Sequence, residues 1–222
     1  MNIMAGIDIG GTKIRAVLLD GKRTIKAREF KTPKNLTTFK KLLGGILNSY
    51  NAKKIGIGAP GAISKNKILF CPNIKYLKNF DISQLARPAV GGGTWTSKFK
   101  LDNDARCFAR AECGKKPCLA IILGTGVGRA FAKNGKVLKI KKFEYSERWE
   151  RQYQKLRDSK NNKRLSAFLT AKISVLIKKF KPEVIIISGG VSTRKNLKLG
   201  FPHKKSKLGK NAAAIGATML FQ

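Results

Sequence analysis

Two short glycine turns, each set between the first and second strands of a three-strand run, restrict this chain more than any other feature. Ile3, Ala5, Ile7 and Ile9 alternate with smaller or polar residues, and Gly10-Gly11-Thr12 then turns the chain. A second run with Ile14, Ala16 and Leu18 ends at Asp20-Gly21, a hairpin signal, and residues 23–31 return. The same succession reappears at Cys118–Leu123, Val127–Ala132, an Asn134-Gly135 turn and Lys136–Ile140. Between and after the two triplets the period changes to a helical one. Leu36, Phe39, Leu43 and Ile46 form one stripe, and Leu165, Phe168, Leu169, Ile173, Leu176, Ile177 and Phe180 form another that Pro182 stops. Strands are expected at Ile55–Gly58, Lys98–Leu101 and Glu183–Ser188, and helices at Asn103–Cys113 and Ala212–Leu220. Residues 62–96 read as loop-rich, with a short helix from Asp81 and a Gly91-Gly92-Gly93 run before Trp95. A strand triplet with helices, met twice, predicts two similar α/β lobes separated by a cleft.

The turns have chemistry of their own. In Asp8-Ile9-Gly10-Gly11-Thr12-Lys13 the glycines let backbone N–H groups approach an anion, while Thr12 and Lys13 add a hydroxyl and a positive charge. Leu123-Gly124-Thr125-Gly126-Val127-Gly128 repeats the device, and Ile187-Ser188-Gly189-Gly190-Val191-Ser192 follows a third strand. One such loop is an ordinary turn. Three at strand ends in both halves predict a nucleotide or polyphosphate cleft. Asp8, closing a buried strand, is placed to hold a divalent ion through water. Leu101-Asp102-Asn103-Asp104 stands at a strand-to-helix junction, where phosphoryl transfer needs a base to orient the acceptor. Helix capping is the competing reading of those residues; it accounts for one of the three well and for all three poorly.

Charge decides which other classes stay open. Forty-seven Lys and Arg against twelve Asp and Glu give a formal charge of +35, the signature of a protein that handles polyanions or of a lysine-rich proteome. The basic residues are spread along the chain without the aromatic interleaving of common RNA-binding motifs, so a nucleic-acid partner is expected only as non-specific binding. A hydrophobic share of 42% excludes a disordered chain. No apolar run reaches the roughly 18–20 residues of a membrane span, and the first residues have no basic leader, which predicts a cytoplasmic protein with no membrane partner. Cys71, Cys107, Cys113 and Cys118 form no CxxC pair and His203 is alone, so free thiols and no zinc site are expected. Arg106 and Arg110, one helical turn apart, read as a solvated face.

Taken together these residues resemble the ROK group of sugar kinases, within the actin-like ATPase superfamily. The matching segments are DIGGTK at 8–13, GIGAPGAI at 56–63, CPN at 71–73, NDA at 103–105, LGTGVG at 123–128, SGGVS at 188–192 and NAAAIGA at 211–217. The short form of the second loop, Thr32-Pro33 before the first helix and the short ending look most like the polyphosphate/ATP glucokinase branch. The resemblance implies an α/β, two-lobed actin-like (ribonuclease H-like) fold, each lobe a mixed sheet with helices and a cleft between. The lobes would be 1–101 with 210–222, and 102–209. It implies Asp104 as general base, with Asn103, Gly61 and Pro60 at the sugar. Asp8 would serve Mg²⁺, and Gly10, Gly11, Thr12, Lys13, Gly124, Thr125 and Gly126 would cradle the phosphates of ATP or polyphosphate. Gly189 and Gly190 would lie near a nucleoside, and a hexose would be the acceptor. Relatives are often homodimers.

One departure bears on the acceptor. The zinc cluster of the larger ROK enzymes is absent, and the sugar-holding Glu and His of the smaller ones have only Glu144-Tyr145-Ser146-Glu147 as counterpart. Glu144 is the carried residue, with Glu147 in place of His. In the other register Glu147 is the family Glu and Glu150 replaces the His. A catalytically impaired sugar- or nucleotide-binding module, or a polyanion-binding protein on the same fold, is the alternative to a kinase.

Overall fold

The computed structural model describes residues 3–86, 97–140, 143–144 and 147–222, with the backbone alone at 147 and 148. Trp95 and the triple glycine lie outside the described residues, as do the side chain of Glu147 and the lysines at 141 and 142. The first triplet is β1 (Ile3–Ile9), β2 (Lys13–Asp20) and β3 (Arg23–Lys31), antiparallel throughout. Helix α1 (Leu36–Tyr50) follows, capped by the Asn35 side chain, which accepts from the Thr38 amide. Its buried Phe39, Leu43, Ile46, Leu47 and Tyr50 keep one face on the sheet, and Tyr50 Oη donates to the Ala16 carbonyl at 3.0 Å. Strand β4 (Lys54–Ala59) then returns parallel to β1.

The stretch read as loop-rich is more ordered than expected. It holds a small antiparallel sheet of β5 (Ala62–Ser64), β6 (Lys67–Phe70) and β7 (Phe80–Asp81), and the helix expected from Asp81 is a 3-10 turn, Ile82–Ala86. Ile68, Leu77, Phe80 and Ile82 are buried beside α1, a contact between distant segments that local periodicity does not encode. Strand β8 (Lys98–Asn103) runs two residues past its expected end and feeds directly into α2 (Asp104–Glu112).

The second half repeats the first. Strands β9 (Cys118–Leu123), β10 (Val127–Lys133) and β11 (Lys136–Val137) are antiparallel. Helices α3 (Glu147–Asp158) and α4 (Asn162–Phe180) lead to β12 (Val184–Ser188) and β13 (Lys204–Lys205), both in parallel register. The two five-stranded sheets have the orders β3-β2-β1-β4-β8 and β11-β10-β9-β12-β13, the same arrangement twice. Among the described residues no helix is long and apolar enough to cross a membrane.

Helix α5 (Ala212–Thr218) closes the chain between the first sheet and α2, and only small residues make this possible. Gly6 and Gly56 face each other across the β1–β4 register. A Cβ on Gly6 would stand 1.9 Å from the Ala214 carbonyl oxygen, and one on Gly56 would stand 1.9 Å from that of Ala217. Backbone cannot yield as a flexible side chain does, so Gly56→Ala is expected to cost about 3 kcal/mol. In a chain of this size that lowers Tm by about 6–12 °C, measurable by thermal unfolding.

The thiols depart from expectation. Cys113 and Cys118 form a disulfide, their Cα atoms 5.9 Å apart, because the end of α2 and the start of β9 are brought side by side; Cys71 and Cys107 are free and buried.

Candidate active site

The carboxyl ends of β1, β4, β8, β9 and β12 converge on one cavity of about 660 Å³. The first turn forms its floor on one side. The Gly10 amide donates to the Lys13 carbonyl at 2.9 Å, and Thr32, the residue after β3, holds the turn, its hydroxyl donating to the Gly10 carbonyl at 2.7 Å. Gly10, Gly11, Thr12 and Lys13 all line the cavity, with Asp8 beneath them. Gly124, Thr125 and Gly126 line it from the opposite sheet, and the hydroxyls of Thr12 and Thr125 lie 3.0 Å apart, so the two glycine turns face each other directly. Gly189 and Gly190 extend the same wall.

Pro60 and Gly61 stand at the end of β4, where Gly61 has φ +94° and a Cβ would fall 2.0 Å from the Phe70 carbonyl oxygen. The Gly61 carbonyl accepts from Asn103 Nδ2 at 3.1 Å. Asn103 is at once the cap of α2, its Oδ1 accepting from the amides of Ala105 (2.9 Å) and Arg106 (3.3 Å). The capping reading therefore belongs to Asn103. Asp104, the first residue of the helix, lines the cavity, its Oδ1 accepting from the Ala105 amide at 2.8 Å.

Asp102 has a third role. Arg106 Nε donates to its Oδ1 at 2.6 Å, Arg110 pairs with Oδ2, and Arg106 also reaches Glu144 at 2.6 Å. Arg106 and Arg110 are thus a partly buried ion-pair network and not the solvated face expected from their spacing. The acidic partners come from β8 and from residue 144, and helix periodicity cannot report them.

Burial raises the carboxyl of Asp8 to about 7, helped by the charge of Asp104 and opposed by Arg15. It raises Asp104 to about 6, with the amide of Ala105 opposing and Glu150 adding to the rise. Glu150 is pushed up by burial as well.

Helix α3 supplies what the sequence left open. Glu150 lines the cavity, and its Oε2 accepts from the Val127 amide at 3.2 Å. One turn on, Tyr153 Oη donates to the Gly124 carbonyl at 2.9 Å, and one turn further Arg157 donates to that of Thr125. Three successive turns of α3 therefore grip the second glycine loop. Gln154 reaches across to Asn73 of the CPN segment at 3.3 Å. Glu144 also lines the cavity, tethered by Arg106. The spacing Glu150, Tyr153, Arg157 was available as a signal, but nothing local says which loop that helix face meets.

The ROK family model matches residues 4–142. N-acetyl-D-glucosamine kinase from Haemophilus influenzae (strain 86-028NP) is 31% identical over 148 residues, which cover 60% of this chain and 46% of that protein. The chain thus spans about half the length of the curated relatives it matches. Two solved structures share its fold along nearly their whole length. An inorganic polyphosphate/ATP-glucomannokinase from Arthrobacter sp. strain KM has a TM-score of 0.76 at 24% identity, over 99% of this chain and 98% of that one. A ROK family glucokinase from Streptomyces griseus, solved with glucose and AMPPNP, has a TM-score of 0.76 at 19% identity, over 98% of each chain. The fold is the two-lobed actin-like one, each lobe a mixed sheet with helices. With well over half of its length matched by the family model, the chain belongs to the ROK family.

Proposed function

We propose that the chain is a sugar kinase that transfers a phosphoryl group from ATP or polyphosphate to a hexose hydroxyl. One observation supports this reading above the others: a partly buried carboxylate with a raised pKa, Asp104, opens onto the same cavity as two facing glycine turns. Asp104 takes the proton of the acceptor hydroxyl, and its elevated basicity suits that task near neutral pH. Asn103, Gly61 and Pro60 frame the sugar, and Glu144 and Glu150 supply acceptors for its hydroxyls. Arg106 leaves one Glu144 oxygen for the ligand. The amides of the turns, with Lys13, stabilise charge that develops on the donor phosphates. The named sugars of the relatives and structural neighbours, N-acetylglucosamine and glucose, are the first acceptors to consider.

The donor set fits Mg²⁺. Among the described residues no group of three or more His, Cys, Asp or Glu is arranged to hold a metal alone. Mg²⁺ ordinarily takes one or two carboxylates together with donor phosphates and water. Asp8 is the carboxylate for it, and among the described residues the cation paired with it is Arg15, at 3.8 Å. A Mg²⁺ held through Asp8 would supply charge neutralisation at the transferring phosphates. The lobes, 1–101 with 210–222 and 102–209, close over the substrates and exclude water.

The test is a coupled assay of purified protein with ATP and with polyphosphate against glucose, mannose and N-acetylglucosamine. Turnover with at least one pair is expected, and binding of sugar without turnover on any donor would leave the impaired binding module as the reading. The kcat/KM profile is expected to fall about tenfold per pH unit below about pH 6, as Asp104 gains its proton. A flat profile down to pH 5 would remove Asp104 from the role of base.

A further inference from the structure

Glu29 is surrounded by positive charge in a way that ordinary strand pairing does not require. It stands on β3 directly opposite Arg15 on β2, and Lys31 stands directly opposite Lys13. Directly opposed residues of an antiparallel pair share a face, as do residues two apart, so Lys13, Arg15, Glu29 and Lys31 all project to one side. Like charges opposed in this way weaken a ladder. Lys13 bonds Glu29 Oε1, while Arg15 Nε lies 3.0 Å and Lys210 Nζ 4.0 Å from Oε2. Three cations from two distant parts of the chain thus converge on one of only twelve acidic side chains in the sequence.

The position of the cluster gives it a use. Lys13, Arg15 and Lys210 line the cavity, and Glu29 does not. The carboxylate thus pairs with cavity-lining cations without lining the cavity itself. Lys13 and Lys210 are more than half exposed, with side-chain exposures of 51% and 68%, so their ammonium groups are free to swing towards a ligand. Arg15 is three-quarters buried and bridges Glu29 and Asp8. The bond from Lys13 and the flanking charges hold the Glu29 carboxyl below its usual range, so it remains an anion throughout the neutral range.

We propose that Lys13, Arg15 and Lys210 form a subsite for the non-transferred phosphates of the donor, and that Glu29 is the internal anion occupying it until a phosphate chain takes over its cations. This inference rests on the kinase reading for the direction in which the donor lies. The recognised chemistry is a linear di- or triphosphate, whether the tail of a nucleotide or part of an inorganic chain. Glu29 then both gathers the cations and competes for them. Removing it strengthens polyanion binding at low salt, whereas removing a cation weakens it.

Direct titration with tripolyphosphate, and separately with ATP, in the absence of sugar tests this across a salt series. Lys210→Gln and Arg15→Gln are each expected to weaken tripolyphosphate binding about tenfold at low salt. Each should also flatten the slope of log Kd against log salt by about one. Glu29→Gln is expected to tighten binding about threefold or more and to steepen that slope. Lys116→Gln, remote from the cleft, controls for the loss of one charge from a highly basic chain. Lys210 is on an exposed turn, so its variant keeps the test open if a strand variant folds poorly. Effects no larger than the Lys116 control, or weaker binding in Glu29→Gln, would overturn the proposal. Effects with ATP alone, tripolyphosphate alone or both would support it and identify the source of the chain. Charge-dependent binding without transfer to any sugar would overturn the kinase reading and leave the subsite standing. Transfer with charge-independent binding would do the reverse.

Discussion

Asp104→Asn is expected to lower kcat about 10³-fold while leaving sugar affinity within about threefold, because a positioned general base contributes about 10²–10⁴. Asparagine keeps the acceptor that takes the Ala105 amide, so α2 starts as before. What disappears is the capacity to take a proton. The same substitution is expected to raise stability. The folded-state pKa of Asp104 is elevated, to about 6 from 3.8, so the protonated form is favoured on folding. Its contribution is fully present below about pH 4 and is lost as pH rises through 6; above that, the buried charge opposes folding. Removing the charge should recover about 1–2 kcal/mol at pH 7, a discounted figure because the residue is not fully enclosed. Thermal unfolding at pH 7 and at pH 4.5 reads this directly: a gain at the higher pH that shrinks at the lower one. A variant both inactive and less stable at pH 7 would point to a structural role. Retained turnover would mean that another group takes the proton.

Asp102→Ala is expected to destabilise the fold as strongly as Gly56→Ala, by loss of charge pairing and not of space. Its side chain is 6% exposed and carries both Arg106 and Arg110, of which Arg106 is itself 10% exposed. Removing one member of a buried pair leaves an uncompensated charge, at about 3–5 kcal/mol. Arg110, at 22% exposure, can turn partly to water, which places the expected cost near 3 kcal/mol. Tm should fall by about 6–12 °C. A functional loss should accompany it, because Arg106 would be drawn wholly to Glu144 and α2 begins two residues after Asp102. Asp102→Ala combined with Arg106→Met should recover part of the lost stability, since paired removal leaves a smaller unmatched charge. A double variant no better than the single one would show that the pair acts independently.

Much of the candidate site could be read from the chain, and the reason is local. A turn between two strands needs glycine wherever the backbone is closely approached, so both glycine turns that line the cavity declare themselves by composition and place. A cap at Asp102 or Asn103 was legible in the same way, since a cap must precede the first turn of a helix, and the structure assigns it to Asn103. The duplicated strand order followed from two triplets of alternating residues, each continued by a buried parallel strand.

What stayed hidden depends on which surfaces meet. The spacing of Arg106 and Arg110 is the spacing of any solvated helix face; only the approach of β8 and Glu144 buries them. Cys113 and Cys118 are five positions apart across a loop, and it is the docking of α2 beside β9 that joins them. Glu150, Tyr153 and Arg157 lie on a segment whose own pattern is merely charged and amphipathic, yet that face fastens the second glycine turn. Glu29 is an unremarkable strand carboxylate until Lys210, 181 positions later in the chain, arrives beside it. The sequence by itself determined the strand-and-turn grammar, the family and the residues of the cleft floor, because those depend on backbone needs met within a few neighbours. The tertiary structure alone decided which charges are paired and which helix holds which loop, because electrostatic partners are chosen by distance in space and not along the chain.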